Sequence, residues 1–229
     1  MSTYRWERVA EGVHRCRLPF LDVTVGAVAG GDGLVLVDCG TTLAEASAIA
    51  ADIRMFDPRG VTHLVLTHDH FDHVLGSSVF ADVETHFAPE VIAALGDGAA
   101  LAEDAVAYGA DPDDIAAAVS ALRPLRRREE SVIDLGDRVA TVLHPGRGHT
   151  GHDLIVVVPG SPAVVFCGDL IEESADPAIG ADSHLADWPA TLDAVLAAGG
   201  PDARYVPGHG AVVDADFVRR QRDWLAARA

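Results

Sequence analysis

Short apolar runs alternate along the chain with breaks rich in glycine or histidine. Residues 23–29 are apolar with β-branched members, Gly30-Gly31-Asp32-Gly33 is a hairpin turn signal, and residues 34–37 read as a buried strand. Thr42 stands where a helix cap belongs, and Ala46, Ile49, Ala50 and Ile53 share one face of a helix predicted over residues 43–56. Asp57-Pro58-Arg59-Gly60 ends that helix, and residues 61–66 form another apolar run. From 89 to 123 the texture changes to Ala, Asp and Glu at helical spacing, with Asp111-Pro112 opening a new helix; this segment is expected to be a helical insertion. Strands are predicted again at 138–143, 154–158 and 163–167. Asp187 is expected to cap a helix over 188–198, Tyr205-Val206 a last short strand, and Asp214 to cap a terminal helix. Strand-rich halves that each end in helix predict a single α/β domain over residues 1–229, with helices covering paired sheets.

Composition narrows the function. With 49% hydrophobic and 23% charged residues the chain is ordinary for a globular protein. It has no run of about 18 apolar residues, so no membrane partner is expected, and no signal-peptide pattern opens it. Three cysteines cannot all pair, which predicts reduced thiols and a cytoplasmic location. A net charge of −18 disfavours a nucleic-acid partner, because such binding neutralises phosphates with clustered positive charge. Arg126-Arg127-Arg128 is followed at once by Glu129 and Glu130 and reads as a solvated surface turn. The chain has no lysine, no phosphate-cradling loop ending in lysine, and no nucleophile elbow. Cys39 and Cys167 adjoin apolar runs and read as buried, inert thiols.

Thr67-His68-Asp69-His70-Phe71-Asp72-His73 concentrates three imidazoles and two carboxylates directly after a buried run. Divalent metals of borderline softness bind neutral imidazole nitrogen and carboxylate oxygen at about 2.0–2.2 Å. His68 and His70, two apart on an extended loop, can grip one ion, while Asp72 and His73 address another. Three later groups follow apolar runs in the same way: residues 144–152 with His144, His149 and His152; Gly168-Asp169; and Gly208-His209. Two four-coordinate ions need more than four protein donors, and these groups supply them.

These residues resemble the metallo-β-lactamase superfamily, whose pattern is His-x-His-x-Asp-His, a later Gly-His-Thr, a Gly-Asp and a final Gly-His. The resemblance runs from the strand at residues 34–38 to His209 and implies a four-layer αββα sandwich. It also implies that His68, His70 and His149 hold one metal, that Asp72, His73 and His209 hold another, and that Asp169 bridges both. Asp38 matches a position that supports the metal loop without binding metal. The implied cofactor is two zinc ions per chain, with iron or manganese as substitutes. The implied chemistry is attack by a metal-bridging hydroxide, with Asp72 aligning it and passing a proton to the leaving group. His184 is a candidate to face the small-molecule substrate. A carboxylic ester, thioester or lactone is the expected substrate, since β-lactam-hydrolysing branches often carry cysteine or serine where Asp169 stands. The alternatives are a phosphodiesterase of a small substrate, a β-lactamase, and an iron-dependent persulfide dioxygenase.

Overall fold

The computed structural model describes residues 2–129 and 131–229. A seven-stranded sheet runs in sequence order: β1 (Glu7–Ala10), β2 (Val13–Arg17), β3 (Thr24–Ala29), β4 (Leu34–Val37), β5 (His63–Val65), β6 (Glu84–His86) and β7 (Arg126–Arg128). The first four strands pair antiparallel, and β4 to β7 pair parallel. A second sheet contains β8 (Val132–Asp134), β9 (Val139–Leu143), β10 (Ile155–Val158), β11 (Val164–Phe166) and β12 (Arg204–Val206), in the spatial order β12-β11-β10-β9-β8.

Alternation along the strands assigns each side chain to a layer. Val35, Val37 and Val65 meet Val142, Val156, Val158, Val164 and Phe166 between the sheets. The intervening Leu34, Leu36 and Leu64 point outward, beneath α1 (Leu43–Phe56) and three further helices, α3 (Glu90–Asp97), α4 (Ala99–Ala107) and α5 (Pro112–Ala121). Beyond the second sheet, Ile155, Val165 and Cys167 pack under α6 (Trp188–Gly199) and α7 (Ala215–Ala226). Both faces of each sheet are thus covered, which is why the central strands read as unbroken apolar runs. The result is the αββα sandwich.

Thr42 caps α1 in a full capping box with Glu45, and Asp214 caps α7 through the Phe217 amide. Two expectations need correction. Asp187 precedes α6 but makes no capping hydrogen bond; its carboxylate pairs with Arg147 at 2.6 Å instead. Arg126-Arg127-Arg128 is no turn. It is edge strand β7, with Arg128 paired to Glu84 and Arg127 donating to the Phe87 carbonyl at 3.1 Å; Glu130 lies outside the described residues. Charged side chains on an edge protect it from pairing with another chain.

Helices α3 to α5 lie in the predicted insertion. Val91, Leu101, Ala105, Ile115 and Ala118 are buried in the same cluster as α1, so the segment forms part of the helix layer.

Candidate metal centre

Every segment carrying a predicted donor follows the C-terminal end of a strand. β5 runs into Thr67-His68, followed by the short helix α2 (Phe71–Val74), which carries Asp72 and His73. From the other sheet, β9 leads to His149, β11 to Asp169 and β12 to His209. The loops are stitched across the sandwich: Leu154 donates its amide to Thr67 O at 2.7 Å, and Thr24 donates to Gly208 O at 2.7 Å. Gly208 is required by this closure, because a Cβ there would stand 1.8 Å from Asp169 Oδ1.

The seven predicted donors converge into two groups around Asp169. His68, His70, His149 and Asp169 offer ligand atoms all within 4.8 Å of one another, and so do Asp72, His73 and His209. Asp169 Oδ2 lies 3.7 Å from His68 Nε2, 3.5 Å from His149 Nε2 and 3.3 Å from His209 Nε2, while its Oδ1 lies 3.1 Å from His73 Nε2. His70 Nδ1 and His149 Nε2 are 2.9 Å apart. Asp72 Oδ2 lies 3.3 Å from His209 Nε2 and 3.6 Å from His73 Nε2. Two donors held about 2.0–2.2 Å from one ion stand at most about 4.4 Å apart, so these separations fit shared cations.

The orphaned atoms fit as well. His68 Nε2, His73 Nε2 and Asp169 Oδ1 are buried without hydrogen-bond partners. His73 Nε2 and Asp169 Oδ1 face each other at 3.1 Å without hydrogen-bond geometry, and a metal among the donors would satisfy all three atoms.

Each imidazole is turned by its outer nitrogen. His73 donates from Nδ1 to Asp38 Oδ2 at 2.8 Å, and His209 donates from Nδ1 to Leu21 O at 2.8 Å. Asp38 also accepts from Thr67 N and Thr67 Oγ1, both at 2.9 Å. Because the threonine proton is committed to Asp38, His68 Nδ1, 3.0 Å from Thr67 Oγ1, must donate to it. Asp38 therefore sets the tautomer of His73 directly and that of His68 through Thr67. It is 2% exposed and sits at φ 61°, a left-handed backbone costly for a residue other than glycine and typical of functional sites. His149 donates to Ala178 O at 3.1 Å.

Charge follows the geometry. Burial disfavours the His73 cation, yet Asp169, Asp72 and Asp38 together hold its imidazole well above the ordinary range. His209 is raised in the same way, against burial, chiefly by Asp169. Burial pushes His68 well down, helped by the neighbouring His73, and burial also lowers His149. Against its own burial, Asp169 is held well below the usual carboxylate range by His209, His73 and His68.

Residues outside the sequence motifs complete the site. Asp182, on the exposed loop after β11, lies 2.9 Å from His70 Nε2, and this hydrogen bond lowers its carboxyl to about 2. It leaves His70 Nδ1 facing the other donors. Glu172, buried at 6% exposure, has Oε1 3.9 Å from His209 Nε2. Burial and the Asp169 charge raise its carboxyl to about 9. Neither residue has a sequence signal beyond its acidity. His152 pairs with Asp69 at 3.1 Å and His144 Nδ1 faces the Asp153 carbonyl at 2.9 Å, so neither joins the donors. His184, the candidate to face substrate, lies outside the two donor groups with its ring over Gly151, where a Cβ would come 3.1 Å from Nε2. Cys39 and Cys167 are free, buried thiols, and burial pushes both well up, which leaves them inert as nucleophiles.

Residues 18–209 match the family model of the metallo-beta-lactamase superfamily. A curated relative, the type 2 metallo-beta-lactamase of Bacillus cereus, is 25% identical over 199 residues, which cover 84% of this chain and 69% of that protein. Among solved structures, the DIM-1 metallo-beta-lactamase superposes with a TM-score of 0.73 at 16% identity, covering 99% of this chain and 98% of its own. A metallo-beta-lactamase from Erythrobacter litoralis, solved with beta mercaptoethanol in its active site, gives a TM-score of 0.70 at 22% identity, covering 99% and 98%. The chain belongs to the metallo-β-lactamase superfamily and is a metal-dependent hydrolase.

Proposed function

We propose that this enzyme holds two divalent cations, zinc in the first instance, and hydrolyses a carboxylic ester, thioester or lactone of small size. The observation that carries the reading is the placement of Asp169, within 3.1–3.7 Å of His68, His73, His149 and His209 at once. A carboxylate so placed serves both groups of donors, which supports a binuclear centre. His68, His70 and His149 would hold one ion, Asp72, His73 and His209 the other.

When bound, zinc lowers the pKa of a water ligand to about 7 and polarises an adjacent carbonyl. The residues position everything else. Asp72 turns Oδ2 toward His73 and His209, which leaves Oδ1 to accept a proton from the attacking water and return it to the leaving atom. His70, whose side chain is 33% exposed, marks the open side from which a substrate arrives. Tyr108, 65% exposed, packs its ring 5.7 Å from that of Phe71, the residue that follows His70. A cleft of about 340 Å³, lined in part by Phe87, His144, Gly151 and His152, opens beside the Asp69–His152 pair and has the size of a small-ligand site.

A net charge of −18 supports a small-molecule rather than a nucleic-acid partner, and three unpaired cysteines support a cytoplasmic location. Among the described residues, no helix is long and apolar enough to cross a membrane. A second reading, β-lactam hydrolysis, is favoured by the Bacillus cereus relative. Screening the purified enzyme against esters, thioesters, lactones, β-lactams and phosphodiesters, with and without chelator, separates the two. Chelator-sensitive turnover of the first three supports the proposal. Turnover confined to β-lactams or phosphodiesters, or indifferent to chelator, overturns it.

A further inference from the structure

β1 and β12 are edge strands of the two sheets, and Arg204 of β12 donates from its guanidinium to Val9 O of β1. A cleft of about 560 Å³ opens at this junction, away from the metal centre, and Arg8, Arg204, Arg220 and Phe217 line it together with Glu7 and Asp214. Three guanidinium groups from three elements, β1, β12 and α7, thus border one space. Among the described residues, none of the three forms an ion pair. Arg8 donates from Nε to Ala10 O at 3.3 Å, and Arg220 stands 5.6 Å from the centroid of the Phe217 ring. Their neighbours on α7 behave differently: Arg219 pairs with Asp216 at 2.6 Å and Arg222 with Asp193 at 2.7 Å. The two acids of the cleft are already engaged. Glu7 holds the buried Arg15 at 2.8 Å, and Asp214 caps α7 through the Phe217 amide at 2.8 Å.

We propose that this cleft is a second binding site, separate from the metal centre, for a phosphorylated small molecule. Guanidinium groups present planar, paired donors that match phosphoryl oxygens, and such charge-assisted hydrogen bonds are roughly twice as strong as neutral ones. The cleft volume lies in the range of small-ligand sites, and Phe217 gives it an apolar wall for the uncharged part of the molecule. A chain of net charge −18 repels an extended polyanion. At physiological salt, however, exposed charges farther than about 8 Å are largely screened. A small anion therefore responds to the side chains of the cleft itself, where three unpaired guanidiniums face two carboxylates that already have partners.

The test is calorimetric titration with ADP and, separately, with succinate, on protein as purified and on metal-stripped protein. ADP is expected to bind at this site in both preparations, with an affinity that falls as salt is raised. Arg8→Ala and Arg220→Ala, both at exposed positions whose truncation leaves the fold intact by thermal melting, should each weaken ADP about 10-fold. Arg219→Ala, which removes an arginine of α7 that lies outside the cleft lining, should leave ADP binding as in the wild type. No ADP binding to the wild type, or binding unchanged in both cleft variants, would overturn the proposal. So would binding that disappears when metal is removed, since it would then belong to the metal centre. Succinate bound as tightly as ADP would show unselective attraction of anions and overturn the assignment of a phosphoryl ligand.

Discussion

Replacing Asp38 by asparagine changes one atom and disturbs ligands in both groups. The aspartate accepts three hydrogen bonds while 2% exposed: from Thr67 N, from Thr67 Oγ1 and from His73 Nδ1. Asparagine offers one acceptor oxygen and an NH2 group that only donates. With its oxygen on Thr67 N, the NH2 faces His73 Nδ1 and Thr67 Oγ1. His73 must then accept at Nδ1 and carry its proton on Nε2, the atom meant for metal, and the threonine no longer forces His68 into its tautomer. Turned the other way, the NH2 confronts the Thr67 amide, leaving a buried N–H unsatisfied at roughly 1–3 kcal/mol. The first arrangement should lower metal affinity by about 10–100-fold. The second should lower the melting temperature of the metal-free protein, by about 2–4 °C for each kcal/mol lost in a chain of this size. Asp38→Asn is therefore expected to fail in one of two measurable ways, read by metal titration and by thermal melting. Wild-type affinity for both ions together with a wild-type melting temperature would refute the proposed relay from Asp38 through Thr67 to His68.

Other consequences can be checked alongside. Asp182→Ala removes the acceptor on His70 Nε2 and should weaken one metal position by about 10-fold or more in titration, with the other unaffected, since the Asp182 side chain is half exposed and its loss leaves little packing strain. In metal-free protein, His73 and His209 are raised above their unfolded values, so their ion pairs with Asp72 and Asp169 stabilise the fold fully below about pH 6.5. That contribution is lost as pH rises through the folded pKa values, so chelated protein should melt progressively lower above about pH 6.5, and metal should restore the loss. Loading near neutral pH should also release protons, seen as a heat of binding that varies with the buffer's ionisation enthalpy. Tyr108→Ala should raise KM for bulky substrates with metal content unchanged, which a substrate series would show. Deleting residues 89–123 would instead strip buried Val91, Leu101 and Ile115 from the α1 layer, so loss of folding is expected rather than a clean change of specificity.

Much of the site was legible because its donors cluster in short motifs at strand ends. His68 to His73 announce a metal loop by spacing alone, and the glycines around His149, Asp169 and His209 mark places where backbone must approach closely. The central strands were equally plain, since sheets buried on both faces make β4, β10 and β11 uniformly apolar and leave β3 a single polar residue, Thr24, at its start. Peripheral strands were not. β7 is three arginines long and exists only through its register with β6, a long-range pairing with no local pattern. β6 and β8, three residues each, are too short to show alternation. Glu172 and Asp182 were hidden for another reason: each acts on a histidine distant in sequence, and only folding brings Asp182 to His70 or Glu172 to His209. Asp187 shows the converse error, a cap-like residue drawn away by Arg147.

The most direct test of the account is metal content per chain after metal-stripped protein is dialysed against trace divalent cation, measured for wild type and for Asp169→Ala. The bridging geometry predicts two ions on the wild type, and fewer than two on the variant together with loss of hydrolysis. A wild-type chain that retains no metal, or an Asp169→Ala chain that keeps both ions and full activity, would contradict it.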